Sequence, residues 1–190
     1  MELPEIDPEL IASLIAPIPK PAPEPARTQG RSLGWFWVAA HLVDEDAGTT
    51  EELPLDSRTQ LRALIASPDG WQDRWPYSRI RNRPWGDQPG FRDAMICGIA
   101  ETDELIVELS DHQYSWMVAR GGEHSPEYRH FPVTYVREGL PQPTICLADE
   151  ILSREQAYSL AFNWLRRGWI PEGYELRRPY LQPGYEWPEE

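Results

Sequence analysis

Apolar and polar positions follow two different periods along this chain, and the changes of period mark its elements. Residues 33–43 (LGWFWVAAHLV) are apolar, aromatic and β-branched, which predicts a largely buried strand. An acidic loop is expected next, with Asp44, Glu45, Asp46, Glu51 and Glu52. Asp56 or Ser57 then caps a helix, and Gln60 is spaced to close a capping box on Ser57. Leu61, Leu64 and Ile65 form its inward stripe, and Ser67-Pro68-Asp69-Gly70 ends it in a turn. Residues 71–92 keep neither period and read as a long loop ordered by packing. A meander follows: a strand at 94–100, a turn at 101–104, a return strand at 105–109, a turn at Asp111-His112, and a third strand at 114–119 (YSWMVA). Gly121-Gly122 breaks it, and 131–135 and 144–147 predict two more strands, with Pro132 confining the former to an edge.

The best-specified element lies near the C-terminus. Ser153 and Gln156 make a capping box, and Ala157, Leu160, Ala161, Trp164 and Leu165 fall on one helical face. Arg166 and Arg167 suit the negative end of the helix dipole, and Gly168 is placed for a left-handed cap. Burying Leu160, Trp164 and Leu165 supplies roughly 1.5–3 kcal/mol each, so this helix lies on a sheet. Trp169-Ile170-Pro171 carries the chain back, residues 174–176 predict a closing strand, and the proline- and aromatic-rich residues from Pro179 onward wrap the surface. At the other terminus Leu10, Ile11, Leu14 and Ile15 form a short apolar hook, and Pro17, Pro19, Pro21, Pro23 and Pro25 make a stiff, extended spacer. The pattern as a whole predicts an α+β fold: an antiparallel meander of about five to six strands with two helices packed on it. Residues 31–190 form the single domain and residues 1–30 a hook and proline-rich tail.

Charge narrows the function. The chain holds 18 basic and 31 acidic residues, a net charge of −13, which opposes both a basic face for nucleic acid and adhesion to an anionic membrane. No apolar run reaches the roughly 18 residues of a spanning helix, and the acidic start MELPEIDPEL lacks the pattern of a secretory leader. Cys97 and Cys146 sit in apolar runs and read as buried thiols of a cytoplasmic protein. One block departs from the acidic trend: Trp71, Arg74, Trp75, Arg79, Arg81, Arg83, Trp85 and Arg92 interleave arginine with aromatics. Such a mixture can stack on bases and hold phosphates, but in an acidic chain pairing with acidic neighbours is the preferred reading.

The stretches LGWFWVAAHLV, the helix at 57–66, MICGIAETDELIVELSDHQYSWMVARGG and ILSREQAYSLAFNWLRRGWIPEGYEL together resemble immunity protein family one of bacterial polymorphic toxin systems. In that family the helix ends at a glycine, with a proline close behind and a polar-aromatic closing strand; Gly168, Pro171 and Tyr174 stand in those places. The resemblance spans roughly residues 33–177 and implies a small cytoplasmic α+β inhibitor that occludes a cognate toxin, commonly a nucleic-acid-modifying enzyme. A basic cleft on such a toxin would be sought out by an acidic partner, and aromatic anchors would set the dissociation rate.

Catalysis finds no footing in the residues. Cys97 and Cys146 have apolar neighbours that disfavour a thiolate, and the four histidines show no metal-binding spacing. His124 and His130, with Glu123 and Glu127, read as loop residues rather than ligands, and Asp111-His112 as a turn rather than a dyad. Asp149-Glu150 precedes a helix and reads as dipole stabilisation and capping. No phosphate-binding glycine loop and no nucleophile elbow occurs, so no catalytic residue, metal or cofactor is expected. The expected binding face is the hairpin tips (Glu101, Asp103, Glu104 and Asp111) with Trp116; the turn around Trp169, Glu172 and Tyr174 is the second choice. The expected partner is a basic protein toxin. The alternative is a protein–protein adaptor or secretion-linked chaperone that works through the N-terminal proline-rich segment.

Overall fold

A computed structural model describes residues 9, 12, 16–21, 36–41, 50–55, 57–66, 77–82, 91–98, 102–111, 113–122, 127–137 and 140–179. Its strands are β1 (Phe36–His41), β2 (Thr50–Leu55), β3 (Tyr77–Arg81), β4 (Arg92–Gly98), β5 (Leu105–Asp111), β6 (Ser115–Arg120), β7 (Tyr128–Arg137), β8 (Leu140–Leu147) and β9 (Tyr174–Arg177). The helices are α1 (Arg58–Ala66) and α2 (Arg154–Arg167), with a 3-10 turn at Ala148–Glu150. Seven strands pair antiparallel in the order β2-β1-β3-β4-β5-β6-β9, and β7 pairs with β8 in a separate hairpin. The architecture is thus α+β, an antiparallel sheet with two helices, as the hydrophobic pattern predicts.

Two strands of that sheet lie where loops are expected. Glu51 and Glu52 belong to the edge strand β2, and β3 runs through the centre of the Arg/Trp stretch to join β1 to β4. Neither shows a clean apolar alternation: TEELPL is acidic, and YSRIR places arginines on every second position. The strands expected at 131–135 and 144–147 lengthen into β7 and β8, with a register shift between Phe131 and Thr134 that takes in Pro132. The wrapping segment expected beyond Pro179 lies outside the described residues.

Strand residues alternate between two sides, and the two sides differ in chemistry. One carries Ile80, Ala94, Ile96, Leu105, Val107, Leu109, Trp116, Val118 and Leu176 against Leu61, Leu64 and Ile65 of α1 and the apolar stripe of α2. The other carries Met95, Cys97, Ile106 and Met117 in a smaller cluster with Cys146 and Ile151.

Helix α2 is fixed at both ends and in the middle. Ser153 Oγ accepts from the Gln156 N–H and Gln156 Oε1 accepts from the Ser153 N–H, so the capping box forms. Gly168 takes φ 62°, and its N–H donates to the Trp164 carbonyl. Trp164 Nε1 donates to the carbonyls of Asp93 (3.0 Å) and Ser110 (3.2 Å), locking the helix onto β4 and β5. Helix α1 closes its own capping box through Ser57 and Gln60 and lies against α2, where Arg58 donates to Tyr158 Oη at 2.6 Å.

Candidate functional site

Charge on the second side of the sheet is buried and paired. Arg177 is 0% exposed and grips Asp149 with both terminal nitrogens, at 2.8 and 2.5 Å. Glu150 lies 3.7 Å from the same guanidinium and accepts from the Leu147 N–H at 2.9 Å. Burial pushes the Glu150 carboxyl up to about 7; the Leu147 N–H and Arg177 pull it back, and Asp149 adds to the rise. The acidic pair therefore does more than the expected helix capping. Asp149 neutralises Arg177, and Glu150 closes the 3-10 turn that hands the chain from β8 toward α2.

A second buried carboxylate lies on β4. Asp93 accepts from Arg79 Nε and stands opposite Arg81 across the β3–β4 ladder. Burial raises its pKa, against the opposing pull of Arg79 and then of Arg81. Arg79 of the Arg/aromatic block is thus paired with an acid of the neighbouring strand, the pairing that the charge pattern favours, and Arg81 stands opposite the same acid in the ladder. Trp71, Arg74, Trp75, Arg83 and Trp85 lie outside the described residues.

The hairpin tips do not form one face. Asp103 and Glu104 precede β5, Asp111 ends it, and seven residues at about 3.3 Å each separate the two tips by roughly 23 Å. Asp103 is engaged by α2: its Oδ1 accepts from the Arg154 N–H at 3.1 Å, and the Arg154 side chain also bonds the Thr102 carbonyl at 2.7 Å. Glu104 pairs with Arg129 of β7. Asp111 Oδ1 accepts from the N–H groups of Gln113 and Tyr114, both at 2.8 Å, and so builds the β5–β6 turn. Glu101 lies outside the described residues. Trp116 is 7% exposed, packed edge-on against Trp164 with ring centroids 5.6 Å apart, so it supports a surface rather than forming one. Its place in the expected face is corrected on that account.

The connection after α2 also runs between two ends of the sheet. Trp169 follows Gly168, which lies against the Arg92 guanidinium at the Arg92–Asp111 end. Glu172 is exposed, and half-buried Tyr174 pairs with Arg120 at the opposite end, where the Gly121 N–H donates to the Gly173 carbonyl.

What the structure does collect is an aromatic end. Tyr114 (49% exposed) and Trp169 (40% exposed) are the exposed large apolar side chains among the described residues, and both lie at the Arg92–Asp111 end. Tyr114 rests on Trp116 at 6.1 Å, Trp116 on Trp164, and the Arg92 guanidinium lies 5.9 Å from the Trp164 ring. The Trp116–Trp164 pair therefore backs the exposed Tyr114 ring. Exposed Arg166 and Arg167 occupy the last turn of α2 at the same end, so negative charge is not concentrated there among the described residues. Tyr114 was hidden in the sequence because YSWMVA reads as one uninterrupted strand, whereas the Asp111 side-chain turn holds Tyr114 just outside β6.

Cys97 and Cys146 are buried free thiols, and burial raises both pKa values, that of Cys146 to about 12. Among the described residues, no group of three or more His, Cys, Asp and Glu is arranged to hold a metal ion, and no helix is long and apolar enough to cross a membrane. His112, Glu123 and His124 lie outside the described residues. No family model, no curated protein and no solved structure matches this chain.

Proposed function

We propose that this protein is a cytoplasmic inhibitor of the immunity type, which binds and occludes a basic, nucleic-acid-targeting toxin through the aromatic end of its sheet. The observation that supports this reading most directly is the exposed Tyr114 ring on a packed Trp116–Trp164 base, with exposed Trp169 following the Gly168 cap of the helix that carries Trp164. Large, stiff aromatic side chains on a preformed support lose little conformational entropy on binding and serve as anchors. The net charge of −13 acts at longer range, through the field of the whole molecule, and speeds encounter with a basic partner. The buried charges fit a structural role equally well, since Asp93, Asp149 and Glu150 are each turned toward a strand or turn of this chain. An adaptor built on the N-terminal segment needs that segment free. Ile18 and Lys20 instead engage the C-terminal strand and the turn before it, which favours the inhibitor.

The test is capture from the native host with the full chain as bait, at low and at high salt, followed by co-expression of any captured protein with and without this chain. The inhibitor reading expects a basic protein that is released as salt rises and whose toxicity co-expression abolishes. Capture of a partner whose activity is unaffected by the chain would refute it.

A further inference from the structure

Arg62, Arg79, Arg129, Arg154 and Arg177 each meet a carboxylate of this chain. Among the described residues Arg58 and Arg166 do not, and both lie against one ring. The Arg58 guanidinium is 4.7 Å from the Phe162 centroid and the Arg166 guanidinium 5.8 Å from it. The helix pair brings them there. Helix α2 places Tyr158, Phe162 and Arg166 four residues apart, in one row along its surface. Helix α1 lays Arg58 and Arg62 beside that row, 6.0 and 5.9 Å from the Tyr158 ring. The two rings are buried and the three arginines exposed, so guanidinium groups roof an aromatic row.

Packing of the arginine stems over the rings explains the roof but not its open charge. Arg58 donates through Nε to Tyr158 Oη at 2.6 Å, and its terminal nitrogens make no hydrogen bond among the described residues. A guanidinium held between two rings with that edge open is preorganised for an oxyanion. We propose that this row is a docking surface for an acidic segment of a second protein, gripped by Arg58 and Arg166 across the Phe162 ring. Charge complementarity selects the occupant. The two cations act locally, no farther apart than the sum of their distances to the shared ring, and attract a short run of carboxylates. The net charge of −13 repels a long polyanion such as a nucleic acid. The spacing also suits an extended chain. The Tyr158 and Phe162 centroids are 6.0 Å apart, and alternate residues of a strand repeat at about 6.6 Å, so carboxylates at every second position keep step with the row. This surface is additional to the aromatic end of the sheet and does not depend on the partner proposed for that end.

The full chain carries the test, with two labelled octapeptides as probes, one alternating glutamate with threonine and the other lysine with threonine. Fluorescence anisotropy at low salt is expected to show saturable binding of the glutamate peptide alone. Arg58→Gln/Arg166→Gln, with its fold intact by circular dichroism, is expected to weaken that binding about tenfold, the loss of two partly exposed ion pairs. In the unmodified chain the Arg58 Nε–H resonance is expected to shift as the peptide is added, a readout that needs no variant to fold. Four results would overturn the proposal. They are no saturable binding of the glutamate peptide, equal affinity in the folded double variant, an Arg58 resonance that does not move, and tighter binding of a single-stranded oligonucleotide of equal charge, which would give the row to nucleic acid.

Discussion

Arg177 and Asp149 show why single residues in this protein matter out of proportion to their exposure. A guanidinium at 0% exposure has lost its water, and the bidentate carboxylate compensates for that loss. Asp149→Asn is therefore expected to destabilise the fold by about 3–5 kcal/mol, because it leaves the cation buried with a neutral partner. Replacing both at once, Arg177→Met with Asp149→Leu, removes the charge itself and is expected to cost far less; urea midpoints of the three chains check the difference. Glu150 next to them makes stability depend on pH. Its folded pKa, about 7, lies above the ordinary 4.5, so between those values the folded state binds more protons than the unfolded one. Its contribution is fully present below about 4.5 and is lost as the pH rises through 7. Glu150→Gln is expected to flatten this fall, measured as urea midpoint against pH, with a remainder of the same sign from Asp93. Neither role was legible in the sequence, since Arg177 is 28 residues from Asp149 and its partner is chosen by the fold.

At the scale of elements, what could be read was what is local. Ser153, Gln156 and Gly168 specify both ends of α2 within one turn of chain, and each does what its spacing predicts. Ser153→Ala is expected to cost about 1 kcal/mol. Gly168→Ala is expected to cost more than ~1 kcal/mol, since a Cβ there would meet a left-handed backbone and lie 2.8 Å from Arg92 Nε. Thermal unfolding of the two variants gives the order. Strand β3 was illegible for the opposite reason. Its Arg79 and Arg81 read as polar loop residues, and the Asp93 that bonds Arg79 and faces buried Arg81 lies on the next strand. Strand β2 hid behind its glutamates, because an edge strand is not required to be apolar. Pairing is the third thing the chain does not state locally. Segments 131–135 and 144–147 were legible as strands, but not as a hairpin apart from the main sheet.

Among the described residues, the acids expected to form a binding face are spent on the fold rather than on the exposed aromatic surface. Asp103, Glu104 and Asp111 look in sequence like an acidic face, yet they hold α2, β7 and a turn, and β5 keeps the two tips apart. A charge reversal at Asp103 therefore reports on the N-terminus of α2 as much as on any partner. The exposed rings of Tyr114 and Trp169 lie at the other end from Glu104, and Glu172 is an exposed acid near β9. In the proposed inhibitor, long-range steering and short-range anchoring fall to different residues, and kinetics can tell them apart. The most direct measurement is surface-binding kinetics of the full chain against the captured basic toxin, with the Tyr114→Ala/Trp169→Ala double variant and Glu172→Lys alongside. The double variant is expected to dissociate at least about tenfold faster with association little changed, and Glu172→Lys to slow association alone. Unaltered dissociation in the double variant, with its fold intact by circular dichroism, would contradict the assignment of binding to the aromatic end.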